Sequence, residues 1–251
     1  MIWAVLIGNT RTVAALMWGD AILKREIVPT ATLKSARALY LWAKRLGRLG
    51  SVKGIVVASV VPPVDKNVEK ALQQVTGLKP HFVTHKSPIG VKVNVKKPEQ
   101  VGADRLANAV AAKELFDSPV IVVDYGTGTT FDVVNKAGDY FGGAILPGLG
   151  ISTRALHEFT AKIPLVKFEK VTFAIGRTTE EAVRSGVYHG AIGTTKELLT
   201  NIRKELKANK APAIATGGFC GVFKNTGLFK KVEPDLTLKG IAAIWRKLNA
   251  H

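Results

Sequence analysis

The chain has 251 residues, enough for one large domain or two small ones. Hydrophobic residues make up 47% and charged residues 22%, which supplies a core and excludes a disordered chain. Lys and Arg number 36 against 19 Asp and Glu, a net +17 that attracts phosphates, nucleic acid or anionic surfaces and says nothing about fold. The single cysteine, Cys220, excludes an internal disulfide framework and a Cys-rich metal site. Apolar runs such as 54–61 and 120–123 fall far short of the roughly 20 residues that cross a bilayer. Residues 1–7 are apolar but lack the basic lead and the cleavage site of a signal peptide. The composition therefore reads as a soluble, cytoplasmic globular protein with no membrane partner.

Short apolar runs separated by turn residues predict strands at 2–7, 13–18 and 22–28, with turns at Gly8-Asn9 and Gly19-Asp20. Residues 33–46 carry apolar side chains at helical spacing, and Arg37, Lys44, Arg45 and Arg48 line the other face. A buried-looking strand at 55–60 stops at Pro62-Pro63. A helix at 64–75, a short strand at 80–84 and an Ala- and Leu-rich helix at 101–116 follow. The second half opens in the same way, with strands at 120–124, 130–135 and 140–146 around a glycine turn at 126–128. A long helix covers 178–207, where Gly186, Gly190 and Gly193 permit close packing or a kink. A strand at 213–215 runs into Thr216-Gly217-Gly218, and a closing helix covers 236–248.

This order contains a repeat. Leu6-Ile7-Gly8-Asn9-Thr10 occupies its strand–turn–strand as Asp124-Tyr125-Gly126-Thr127-Gly128 occupies its own. Two copies of a three-stranded meander followed by helices predict a duplicated α/β fold with a cleft between the lobes. Strand–glycine turn–strand units aim backbone N–H groups at such a cleft, where a phosphate can be held. No proline- or serine-rich linker separates the halves, so the lobes are expected to be 1–112 and 113–251.

Asp124 ends an apolar strand before a glycine turn, as a cation ligand or as a turn cap. Asp132, in the following strand, either contributes a carboxylate or faces solvent. Gly102-Ala103-Asp104-Arg105 opens a helix, where Arg105 can clamp a carboxylate or phosphate and Asp104 can take a proton from a hydroxyl. The structural alternative is that Asp104 complements the helix dipole with Arg105 paired nearby. The glycine-rich run 141–148 points to close approach by a ligand or partner, and Thr216-Gly217-Gly218 suits a nucleotide phosphate or ribose. Neither a Walker loop nor a dinucleotide fingerprint occurs. His81 and His85 flank a short strand without a carboxylate at ligand spacing, which argues against zinc. The basic face of helix 33–46 lacks an accompanying aromatic pattern in the sequence, so nucleic acid is a minor reading.

In combination and order, these motifs resemble the type III pantothenate kinases, a family that includes proteins named Bvg accessory factors. The resemblance rests on Gly8-Asn9-Thr10, Ser59-Val60-Val61-Pro62, Gly102-Ala103-Asp104-Arg105-Leu106-Ala107-Asn108-Ala109, Asp124-Tyr125-Gly126-Thr127, Gly142-Gly143-Ala144-Ile145-Leu146-Pro147-Gly148, Gly176-Arg177-Thr178-Thr179 and Thr216-Gly217-Gly218. It implies an actin-like, acetate-and-sugar-kinase fold with two ribonuclease-H-like lobes, a homodimer, and ATP-dependent phosphorylation of pantothenate as the first step of coenzyme A synthesis. It also implies a divalent metal such as Mg2+ and a monovalent cation, K+ or NH4+. On this resemblance Asp104 is the general base, and Gly102, Ala103, Asp104, Arg105 and Thr179 hold pantothenate. Gly8, Asn9, Thr10, Thr127, Gly217 and Gly218 face ATP, and Asp124 holds the monovalent cation. Positioning and charge neutralisation dominate such phosphoryl transfers.

Two positions depart from the family pattern. Its first motif is Asp-x-Gly-Asn-Thr, and here Leu6 stands for the Asp, a position that the internal repeat independently aligns with Asp124. Leucine supplies neither charge nor an oxygen ligand. Val95, three residues before Pro98, stands where the family has a substrate-contacting tyrosine. These departures leave two further readings: a catalytically silent kinase-like binding protein, and a kinase for another small hydroxylated molecule.

Overall fold

The computed structural model describes residues 1–47 and 52–250, so Arg48 of the basic helix face lies outside the described residues. The chain forms two compact units, one of Met1–Leu115 with Asp235–His251 and the other of Phe116–Pro234.

In the first unit, β1 (Ile2–Ile7), β2 (Arg11–Trp18), β3 (Ala21–Pro29), β4 (Gly54–Ser59) and β5 (His81–Phe82) form one sheet in the order β3-β2-β1-β4-β5. The central strand β1 reads IWAVLI, a run without polar residues, because helices cover both of its faces. α1 (Ala36–Leu46) and α2 (Pro62–Thr76) close one face through Leu39, Trp42, Leu46, Val64, Val68 and Leu72, packed on Trp3, Val5, Ile55 and Val57. α3 (Ala103–Leu115) and the closing helix α6 (Leu236–Leu248) lie on the other face.

The closing helix therefore packs with the first unit, whereas the sequence division at 112/113 gave it to the second lobe. The reason is a close backbone approach. A Cβ on Gly240 would overlap the Ala107 carbonyl of α3, and the Thr237 hydroxyl donates to Asn108 Oδ1 at 2.7 Å. Gly240→Ala is a direct check. Helix propensity alone would make alanine stabilising by about 1 kcal/mol. Forcing the two helices apart costs roughly 1–3 kcal/mol, so urea unfolding should show a net loss.

The second unit repeats the plan. β6 (Val120–Tyr125), β7 (Gly128–Val134), β8 (Tyr140–Pro147), β9 (Ala213–Thr216) and β10 (Lys231–Val232) pair in the order β8-β7-β6-β9-β10. That order matches the first sheet strand for strand, β1 with β6 and β4 with β9. α4 (Leu149–Glu158) and α5 (Thr179–Glu205) accompany it, and Tyr188 and Leu199 of α5 join Ile121, Val123, Tyr125 and Phe131 in the core.

Several boundaries differ from the sequence expectation. The helix expected at 33–46 starts as a 3-10 turn at Thr30–Lys34, and Ser35 then caps α1 by accepting from Ala38 N at 3.4 Å. The strand at 80–84 shrinks to His81–Phe82, and His81 Nε2 pairs with Ser87 Oγ at 3.0 Å. α4 has no counterpart among the sequence-predicted elements; its signal is Leu149 and Thr153, buried four apart. α5 runs unbroken, and a Cβ on Gly186, Gly190 or Gly193 would meet nothing within 4 Å.

Candidate active site

At the carboxyl edge of the first sheet, Ile7 lies beside Ser59, and Val60 N donates to Ile7 O at 3.0 Å. Gly8-Asn9-Thr10 follows as a turn closed by Gly8 N donating to Arg11 O at 3.0 Å, with Asn9 and Thr10 exposed. Thr30, buried, secures this turn at both ends. Its N–H donates to Thr10 O at 3.0 Å and its hydroxyl to Gly8 O at 2.6 Å, while Thr12 Oγ1 lies 3.0 Å away. Sequence reasoning missed Thr30; a threonine directly after a strand-ending proline was its only trace.

The start of α3 adjoins Val60. A Cβ on Gly102 would come within 3.3 Å of Val60 Cγ1 and 2.5 Å of Asp104 Oδ1, so glycine there leaves room for the carboxylate. Asp104 Oδ1 accepts from Arg105 N at 2.7 Å. Burial pushes the Asp104 carboxyl above its ordinary range; the Arg105 backbone N–H and the Arg105 charge pull the other way without overcoming it. Ala103 is buried and Arg105 half-buried. A second carboxylate, Asp65 in the first turn of α2, accepts from the Ser59 hydroxyl at 2.6 Å, and burial pushes it up as well. The sequence reading passed over Asp65, whose signal is its place in the first turn after Pro62-Pro63.

In the second unit, Asp124 and its glycine turn occupy the matching edge. Gly126 N donates to Gly128 O at 3.1 Å, and Thr127 is exposed at the tip. Gly217 has φ +89, and a Cβ on it would collide with Asp124 Oδ1. Asp124 Oδ1 lies 3.3 Å from the place of a Cβ on Gly126. The carboxylate thus rests in a cradle that only glycines leave open. The crowding foreseen in 141–148 is internal at its end, where Gly148 packs against the Thr127 carbonyl. Gly142 takes φ +102, which a residue with a side chain rarely adopts.

Asp132 does not face solvent. It is fully buried, accepting from the Tyr140 hydroxyl at 3.1 Å and from Thr130 Oγ1 at 3.3 Å. Val95 is half-buried between exposed Asn94 and Lys96. Thr179 is the first, exposed residue of α5, behind a cap in which Thr178 Oγ1 accepts from Glu181 N at 3.1 Å. Gly218 is open to substitution, with nothing within 4 Å of a Cβ. Among the described residues no three His, Cys, Asp or Glu side chains gather as a metal cage.

Leu6 and Asp124 are structural equivalents. Each is the penultimate residue of its central strand and its half-buried position, ahead of a glycine turn. Their surroundings differ in kind: Val13 and Ala58 flank Leu6, whereas Thr130 and Thr216 flank Asp124. The Asp124 carboxylate is an oxygen donor of the kind a cation takes. Leu6 offers no oxygen donor, so position 6 itself cannot hold a divalent metal through a carboxylate.

A duplicated five-stranded sheet, with a glycine turn at the carboxyl end of each central strand, is the build of the actin-like kinases, and this chain is an α/β phosphotransferase of that class. The same fold occurs in the ROK hexokinase from Thermus thermophilus (TM-score 0.51, 15% identity, 97% of each chain covered). It also occurs in the ADPNP-bound activator of 2-hydroxyisocaproyl-CoA dehydratase from Clostridium difficile (TM-score 0.52, 11% identity, 98% of this chain and 94% of that one). The family model for type III pantothenate kinase matches residues 3–201. Curated relatives of that name are 36% identical in Legionella pneumophila (96% of each chain) and 37% identical in Thermomicrobium roseum (99% of this chain, 98% of that one). The chain belongs to the type III pantothenate kinase family. No helix among the described residues is long and apolar enough to cross a membrane.

Proposed function

We propose that this protein transfers the γ-phosphoryl group of ATP to the primary hydroxyl of pantothenate, the first step of coenzyme A synthesis. The observation that carries this reading is Asp104, a carboxylate pushed up by burial at the start of α3, with Gly102 leaving room beside it and Arg105 next to it. A base poised nearer neutrality is well matched to accepting a hydroxyl proton. As the substrate oxygen bonds to phosphorus, its proton passes to Asp104 and the bond to ADP breaks. Arg105 pairs with the pantothenate carboxylate, and Ala103 and Thr179 complete the pantothenate contacts. Gly8, Asn9, Thr10 and Thr127 present backbone and side-chain donors to the phosphates, with Gly217 and Gly218 toward the nucleotide. Asp124 holds a monovalent cation, K+ or NH4+, which adds positive charge near the phosphates when bound. ATP brings its Mg2+, for which position 6 offers no ligand.

The protein acts as a homodimer in the cytoplasm. Exposed Phe141 and Ile145 on β8, Ile151 on α4 and Phe159 just past the end of α4, the last at 85% exposure, support a second copy as partner. Leu6 favours one competing reading, a kinase-like protein that binds nucleotide without turnover. Val95 in place of a tyrosine favours another, a different small hydroxylated substrate. A coupled ADP-release assay with pantothenate, with and without potassium, decides among them. Potassium-dependent turnover supports the kinase; silence with pantothenate but turnover with another hydroxyl compound supports the altered substrate. Nucleotide binding without any turnover supports the silent protein.

A further inference from the structure

The basic charge is unevenly divided. The first unit holds 21 Lys and Arg against 8 Asp and Glu, a net +13, whereas the second holds 15 against 11, a net +4. The catalytic reading uses little of this excess. α1 contains no acidic residue, and its inward side chains Leu39, Trp42, Ala43 and Leu46 are buried in the core. Its outward face presents Arg37, Tyr40, Leu41, Lys44 and Arg45, with Lys34 just ahead of the helix. Tyr40 is 40% exposed, and Lys44 Nζ stands 5.4 Å over its ring. Lys24 of β3 donates to Arg45 O at 3.1 Å, which joins the β2–β3 hairpin to the end of α1. Lys24 pairs across the sheet with Leu16, and Trp18, two residues further along β2 past a shift in register, is 66% exposed. Two carboxylates border this face: Glu26, 3.3 Å from Lys24 and 3.7 Å from Arg45, and Asp20, two residues after Trp18 and 3.0 Å from Arg246. Lys34, Arg37 and Lys44 show no carboxylate partner among the described residues.

We propose that this face binds single-stranded nucleic acid, its cations neutralising phosphates while Trp18 and Tyr40 stack on bases. Of the two exposed rings, Tyr40 lies on the helix itself and Trp18 is added by the β2–β3 hairpin. Cations interleaved with exposed rings suit a strand whose bases are free to stack. An anionic lipid surface would instead require a continuous apolar face to insert, and the apolar face of α1 is spent on the core. The inference stands independently of the kinase reading.

The test is fluorescence anisotropy of a fluorescein-labelled 12-nucleotide mixed-sequence RNA titrated with the full chain at 50 and 200 mM salt. With four phosphates neutralised, affinity should fall roughly 50-fold across that range, and about 7-fold in Arg37→Ala/Lys44→Ala, where two remain. Binding should quench tryptophan emission in the natural protein and much less in Trp18→Phe, since Trp18 is exposed, Trp3 and Trp42 are fully buried, and the half-buried Trp245 has its ring against Gly54. Circular dichroism of both variants controls for folding. Absence of binding at 50 mM salt, equal binding by the folded double variant, or equal affinity for a blunt duplex would overturn the proposal. So would capture by phosphatidylserine vesicles without binding of the RNA.

Discussion

Asp104→Asn should lower kcat/KM with pantothenate by about 10²–10⁴, the usual contribution of a general base, while leaving the protein at neutral pH as stable as the natural form or more so. The two effects share one cause. Burial raises the Asp104 pKa above its unperturbed value of 3.8, against the weaker opposing pull of Arg105. A raised acid pKa means that the fold favours the neutral carboxyl. That stabilising contribution is complete below the unfolded pKa and is lost as pH rises through the folded one. At neutral pH the natural protein therefore carries an ionised carboxylate that its surroundings disfavour. Asparagine removes the charge and keeps an oxygen to accept from Arg105 N.

The same pKa sets a pH profile. Below it the carboxyl is protonated and cannot accept the hydroxyl proton, so the acid limb of kcat/KM should lie above the ordinary aspartate range. Thermal unfolding of both proteins at pH 4 and pH 7.5, beside kcat/KM at each pH, reads all of this. Asp104→Asn should gain melting temperature relative to the natural protein as pH rises. A variant that lost stability and activity together at pH 7.5 would mark Asp104 as a helix-start residue, and full activity would remove it as the base.

Legibility in the sequence tracked periodicity and turn chemistry. The central strands β1 and β6 and the closing helix were readable because unbroken apolar runs and a 3.6-residue pattern lie entirely within the local chain. What escaped depended on partners distant in sequence. α6 belongs to the first unit because Gly240 meets Ala107, more than a hundred residues away, and no local pattern records that. Thr30 became important only when the fold returned it to the Gly8–Thr10 turn. Asp132, read as a possible solvent-facing group, is sealed by Tyr140 from the neighbouring strand. Of the site, the glycine turns and the start of α3 were legible as motifs. The cradle that Gly217 leaves for Asp124 was not, since it takes the register of β6 with β9 to bring them together.

That register also frames the second large effect. If the carboxylate missing at position 6 limits turnover, Leu6→Asp should raise potassium-dependent ADP release with pantothenate by about 10²–10³, the size of one well-placed electrostatic group. The variant carries a cost, because a half-buried leucine between Val13 and Ala58 is exchanged for a charge with no hydroxyl beside it. A loss of roughly 1–3 kcal/mol of stability is expected. Asp124 shows how the duplicated fold accommodates a carboxylate at this point, with Thr130 and Thr216 as neighbours. Val13→Thr/Ala58→Thr added to Leu6→Asp reproduces that setting. It should recover part of the lost melting temperature and retain the gain in rate. Neither variant exceeding the natural protein, with both folded, would mean that position 6 is not the limiting defect. The apolar trio Leu6, Val13 and Ala58 would then be a packing solution that the phosphotransfer site tolerates. A gain only in the triple variant would place the defect in the whole apolar setting, since a carboxylate works here only when its neighbours hold it.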